Sequence, residues 1–163
     1  MSDGKLRPMT AVYILSGEKI LLLYRVGSRV VEPSFCGVGG HFEKDELRDA
    51  RACVLREMRE EIGLGEEDLA GMNMRYVTLR LKNGEIRQNY YFFAELQEGV
   101  QLPDDCAEGR LQWADLATVL DRKMPHTAWH MLRHYLDEGR YTELLYGGVT
   151  TENAVVFTPL EEF

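Results

Sequence analysis

The sequence predicts an α+β domain, a mixed β-sheet between helices in an α/β/α sandwich, and three observations carry that prediction. Two apolar, β-branched-rich runs flank Gly17-Glu18, and two more flank Asn83-Gly84. Two further segments have helical periodicity, and each ends at a glycine. Hairpin-joined strands mixed with a few helices define that class.

Residues 9–16 and 19–25 form the first hairpin, with Gly17-Glu18 as its turn. Residues 26–41 are loop-like, rich in glycine around Pro33. Asp49 is the N-cap of a helix running through Ile62. Val54, Leu55, Met58 and Ile62 form its apolar stripe, and Gly63 ends it. Residues 72–81 and 86–96 flank Lys82-Asn83-Gly84-Glu85, where both central residues tolerate positive φ. Residues 99–109 are a polar loop and 110–113 a short strand. A second helix spans about 127–138, with Ala128, Met131, Leu132, Tyr135 and Leu136 at helical spacing before Gly139. Two apolar patches, 144–146 and 154–157, add strands that close the sheet.

At 163 residues the chain favours one domain, 1–163, with a substantial core. No apolar run is long enough to span a bilayer, and Met1-Ser2-Asp3-Gly4-Lys5 lacks a signal-peptide core, so a cytoplasmic location is expected. Cys36, Cys53 and Cys106 are odd in number and form no C-x-x-C pair, which fits reduced thiols. A net charge of −8 argues against a nucleic-acid polymer as partner. It leaves room for a small phosphate ligand held through metal ions. A monomer or a homodimer is expected.

The most informative run is Arg56-Glu57-Met58-Arg59-Glu60-Glu61-Ile62-Gly63-Leu64. Glu57, Glu60 and Glu61 stand at i, i+3 and i+4 on one helix face, where like charges repel. A divalent cation converts that repulsion into binding. Mg²⁺ takes oxygen ligands, usually one or two carboxylates with waters and substrate phosphates. A plain solvated acidic face would need neither the adjoining apolar stripe nor the glycine stop.

These residues resemble the Nudix box. Arg56 through Leu64 matches its second half at every position, and Gly39-Gly40-His41-Phe42-Glu43 matches its opening. Gly40, five residues and Glu46 also fit. Nine residues then separate Glu46 from Arg56, where the family has seven, which reads as a two-residue insertion before the helix. Phe35-Cys36-Gly37-Val38-Gly39-Gly40, the Glu108 to Trp113 spacing and Met124-Pro125 resemble the MutT-type branch, the oxidised purine nucleoside triphosphatases.

The resemblance implies the Nudix fold and an Mg²⁺-dependent pyrophosphohydrolase, with Mn²⁺ as a possible substitute. Its substrate would be a nucleoside triphosphate such as 8-oxo-dGTP, cleaved to monophosphate and pyrophosphate. Alternatives are another nucleoside diphosphate derivative (ADP-ribose, a diadenosine polyphosphate) or a non-catalytic ligand-binding module. Glu57 and Glu61 map onto the main metal ligands, with the Gly40 carbonyl beside them. Glu60 maps onto a further ligand or the residue that activates water, and Glu108 is the candidate distal carboxylate. Arg56 pairs with Glu46 or contacts substrate. Arg25 is a candidate phosphate contact and Arg29 a looser one. Phe35, Cys36, Tyr90, Met124 and His126 are the candidates for a base pocket. Cys36 occupies the position of a base-reading Asn in one branch. One of Tyr90 and Tyr91 belongs to the core, as do Cys53 and Trp113. His126, His130 and His134, at i, i+4 and i+8, read as an exposed polar face rather than a zinc site.

Overall fold

The computed structural model describes residues 3–26 and 33–163. Strands β1 (Lys5–Ser16) and β2 (Lys19–Arg25) form the first hairpin, and β3 (Ser34–Cys36) pairs with β2. Helix α1 (Ala50–Ile62) follows, with a 3-10 turn at Lys44–Glu46 before it. Strands β4 (Leu69–Lys82) and β5 (Glu85–Leu96) make the second hairpin. Strands β6 (Asp105–Cys106) and β7 (Gly109–Asp115), helix α2 (His126–Asp137) and strands β8 (Tyr146–Thr150) and β9 (Val155–Pro159) complete the chain.

Among the described residues the strands form one sheet in the order β6-β7-β2-β1-β5-β4-β8-β9, with β3 attached to β2. It is mixed: β1 runs parallel to β5 and β4 parallel to β8, and the other pairs are antiparallel. The predicted class holds.

Alternation along the strands sends successive side chains to opposite faces. Val12, Ile14, Phe92 and Ala94 meet Val54, Met58 and Ile62 of α1. Tyr13, Leu15, Tyr91 and Phe93 meet Ala128, Met131, Leu132 and Tyr135 of α2. Two separate apolar layers result, one under each helix. Tyr91 and Cys53 are buried as expected, and Trp113 packs half-buried against the α1-side layer.

The local signals behave as their chemistry requires. Asp49 accepts a hydrogen bond from the Ala52 N–H, and Gly63 adopts φ 72° and returns its N–H to the Arg59 carbonyl. Asn83 and Gly84 take φ 52° and 76°, which fits the two-residue turn between Lys82 and Glu85. Two segments expected as loop contain short strands, β3 within 26–41 and β6 within 99–109. Neither has a periodicity long enough to read, and pairing to β2 and β7 makes them strands. The last two strands extend the sheet beyond β4 and leave it open, so they do not close it.

Candidate metal and phosphate site

The apolar stripe of α1 fixes its rotation, and Glu57 and Glu61 ride on the adjoining stripe facing the glycine loop. Gly40 lies so close that a Cβ there would stand 2.6 Å from the Glu57 carboxyl carbon. The Gly39 N–H donates to Glu61 Oε2 at 3.2 Å. Arg25, at the end of β2, places Nη2 3.6 Å from Glu61 Oε1. The Glu61 side chain is only 8 % exposed. Burial pushes its carboxyl up to about 7, Arg25 opposes that rise, and Glu57 and Glu108 add to it. Glu108, exposed in the turn between β6 and β7, is thus felt at Glu61.

Arg56 binds the other side of this cluster. Its Nε donates to Glu46 Oε2 at 2.7 Å and its Nη2 to Glu46 Oε1 at 2.8 Å. Nη2 also reaches the His41 carbonyl at 3.0 Å, and Nη1 reaches Glu57 Oε1 and Glu60 Oε2, each at 3.1 Å. The Arg56 hydrogen bonds hold the Glu46 carboxyl below the usual carboxylate range. Arg56 is therefore a clamp between loop and helix. Between Glu46 and Arg56 the chain turns at Leu47-Arg48 and enters α1 at Ala50. Glu60 sits at the rim, more than half exposed and held by Arg56. The Gly40 carbonyl accepts the Thr10 N–H at 2.9 Å, with the Thr10 hydroxyl at 3.5 Å and the Cys53 sulfur at 4.0 Å also directed at it.

Among the described residues no group of three or more His, Cys, Asp or Glu side chains forms a ready-made metal cage. The nearly buried Glu61 carboxylate beside Glu57 is the observation that fits a cation: burial and a neighbouring acid disfavour the Glu61 charge. All donors are oxygens, which fits a hard divalent cation.

The residues expected to line one base pocket do not come together. Phe35 and Met124 pack against the α2-side layer, and Tyr90 packs against the α1-side layer, its ring 5.5 Å from Phe42. Phe35 stacks obliquely on Tyr24 at 4.8 Å under the Arg122 guanidinium. It lines a cleft of about 500 Å³ with Asp104, Asp105 and Arg110, which contains none of the box carboxylates. The Cys36 thiol donates to the Leu23 carbonyl and is pushed up to about 11 by burial, with Arg25, Glu61 and Glu108 among its charged neighbours. It therefore sits beside the carboxylate site. His126 is occupied at the start of α2, Nε2 standing 3.0 Å from the Thr151 carbonyl oxygen. Arg29 lies outside the described residues.

The histidine row is not the exposed face expected of it. His126 and His130 contact each other edge to face at 4.6 Å, and all three rings are partly buried. His134 Nδ1 lies 2.8 Å from the Tyr76 hydroxyl, with Tyr146 and Phe157 packed around its ring. Strands β8 and β9 fold over that side of α2, which helical periodicity alone does not reveal.

Two features escaped the sequence. Thr10 ties the glycine loop to β1 through Gly40 and lies 3.3 Å from the Cys53 sulfur. Arg7, Arg80 and Arg87 are register partners across β1, β4 and β5. Arg80 and Arg87 are placed symmetrically about the Asn83-Gly84 turn, so a two-residue hairpin loop already implies that they face each other. Their pairing with Arg7 has no local signal.

The NUDIX domain family matches residues 5–135. A comparison with curated protein sequences finds no match. Among solved structures, the mutator MutT protein of Bacillus halodurans is 19% identical. It aligns over 93% of this chain and 97% of its own, with a TM-score of 0.68. A NUDIX hydrolase from Nitrosomonas europaea is 13% identical over 90% of this chain and 79% of its own, with a TM-score of 0.67. The NUDIX domain of Shewanella oneidensis NrtR, solved with ADP ribose, is 14% identical over 87% of this chain and 91% of its own, with a TM-score of 0.64. At these identities the likeness is one of fold. No helix is long and apolar enough to cross a membrane among the described residues.

Proposed function

The chain belongs to the NUDIX domain family, as a pyrophosphohydrolase with a MutT-like layout, and from that premise we propose that it hydrolyses a nucleoside triphosphate to monophosphate and pyrophosphate with Mg²⁺. The observation that carries this reading is the contact of Glu57 and Glu61 with Gly40 and Gly39, beside Arg25. Glu57 and Glu61 would hold the ion, with Glu60 and Glu108 as outlying acids. A bound divalent cation supplies phosphate charge neutralisation and a more acidic water. The protein's own contribution is placement. Arg56 locks the loop to the helix, and Arg25 stands ready to exchange Glu61 for a phosphate oxygen.

Oxidised purine triphosphates such as 8-oxo-dGTP are the first substrates to test. A second reading, ADP-ribose or another nucleoside diphosphate derivative, is favoured by the ADP-ribose complex of a domain with this fold. The experiment is a product-resolved panel with Mg²⁺ and with Mn²⁺, covering normal and oxidised nucleotides, ADP-ribose and diadenosine polyphosphates. Pyrophosphate release from triphosphates supports the first reading. Turnover confined to the other compounds supports the second. Tight nucleotide binding without turnover overturns both.

A further inference from the structure

Arg7, Arg87 and Arg80 stand in one row across three adjacent strands, Arg87 being the register partner of both others. Directly opposed residues project to the same face with Cβ atoms roughly 5 Å apart, and like charges there are destabilising. Two steps along the same face come Met9, Asn89 and Thr78, and two steps further come Ala11, Tyr91 and Tyr76. The row therefore lies on the α2 side, beyond the end of that apolar layer. The Arg80 charge is felt at the Tyr91 hydroxyl, so its guanidinium leans over the sheet.

This cationic row is poorly compensated. Glu85 Oε2 lies 3.6 Å from Arg7 and 3.9 Å from Arg87, too far for a good hydrogen bond to either. Arg80 makes no ion pair among the described residues, and Arg87 Nε is buried with no hydrogen-bond partner. Three guanidiniums against one shared carboxylate invert the local charge of a chain whose net charge is −8. A merely solubilising row would extend into water, whereas the Arg87 side chain is 28 % exposed. His41 carries the row up to the glycine loop. Its Nε2 is 3.4 Å from Arg7 Nη2, while its carbonyl accepts from Arg56. The backbone side of the loop thus bears the carboxylate site, and the His41 side chain faces the arginines.

We infer that the Arg7–Arg87–Arg80 row is an anion subsite that takes a phosphate monoester on the part of the substrate that is not hydrolysed. This rests on the reading of the substrate as a nucleotide. Arginine forks match phosphate oxygens two at a time, and an entering phosphate would satisfy Arg87 Nε and relieve the repulsion along the row. The preferred substrates are then nucleotides carrying an extra 2′- or 3′-phosphate on the ribose.

Two measurements test it. Metal-free protein is titrated with inorganic phosphate while the arginine Nε–Hε resonances are followed by NMR. Saturable shifts at Arg7, Arg80 and Arg87 are expected, and the Arg7 shift is expected to disappear in the double variant Arg80→Gln/Arg87→Gln. The single variant Arg80→Gln serves if the double one does not fold. Absent shifts, or shifts unchanged in the variant, overturn the subsite. With Mg²⁺, KM for a 3′-phosphorylated nucleoside triphosphate is expected to be about tenfold below that of the plain one, the worth of a charge-assisted hydrogen bond. The variant removes that difference. Equal KM values in the wild type overturn the assignment to a substrate phosphate. If no nucleotide is turned over, the hydrolase reading fails, and the phosphate titration still decides the subsite.

Discussion

Arg56 grips both carboxylate oxygens of Glu46, at 2.7 and 2.8 Å, across a stretch two residues longer than the Nudix box has there. The pair joins the buried end of a 3-10 turn to the middle of α1, so loop and helix move as one. Glu46→Ala leaves Arg56 without its main partner. A loss on the order of 3 kcal/mol is expected, read as a lowered denaturant midpoint with an unchanged slope. A loss near zero would mean that the His41, Glu57 and Glu60 contacts suffice.

The same pair sets an acid limit. Glu46 titrates below its ordinary value of 4.5 in the folded chain, because Arg56 stabilises the charged form. A carboxyl lowered by folding contributes stability that is present above its unfolded pKa and lost as pH falls through the folded one. The wild type should therefore lose stability below about pH 4.5, and Glu46→Gln should flatten that part of the curve. Parallel acid curves for the two proteins would refute the assignment.

Glu61 predicts the opposite slope in metal-free protein. Burial raises its carboxyl from 4.5 to about 7, so the folded state holds the proton more tightly than the unfolded one. Its share of stability is present below pH 4.5 and declines as pH rises to about 7. Thermal melts in chelator should show that decline. Mg²⁺ should offset it, and Glu61→Gln should abolish both the decline and the Mg²⁺ effect.

Activity should depend on the carboxylates facing the loop more than on the one at the rim. Glu57→Gln and Glu61→Gln are each expected to lower kcat by roughly 10³-fold, the scale of a lost electrostatic group at a reacting centre. Their double variant should be inactive. Glu60→Gln, at the exposed rim, should cost less. Measured metal-dependent turnover that survived the double change would remove the basis of the site.

Two glycines separate stability from function. At Gly63 a Cβ meets nothing within 4 Å, but φ is 72°, so Gly63→Ala should cost about 1 kcal/mol of stability and spare kcat. At Gly40 the Cβ would strike the mobile end of Glu57. Gly40→Ala should therefore leave the melt nearly unchanged and sharply lower metal affinity, measured by Mn²⁺ binding.

By itself the sequence determined α1 and the acids it carries, because cap, stripe, carboxylates and glycine stop lie within fifteen residues, from Asp49 to Gly63, and act through local geometry. The Asn83-Gly84 hairpin was legible for the same reason. Tertiary structure alone decided that Phe35 and Tyr90 belong to different layers, that His134 is enclosed by Tyr76, Tyr146 and Phe157, and that Arg7 joins Arg80 and Arg87 in one row. Each of those depends on strands brought together from distant parts of the chain, above all the parallel pairing of β1 with β5. No turn sets the register of that pair, so the burial of both apolar layers has to choose it.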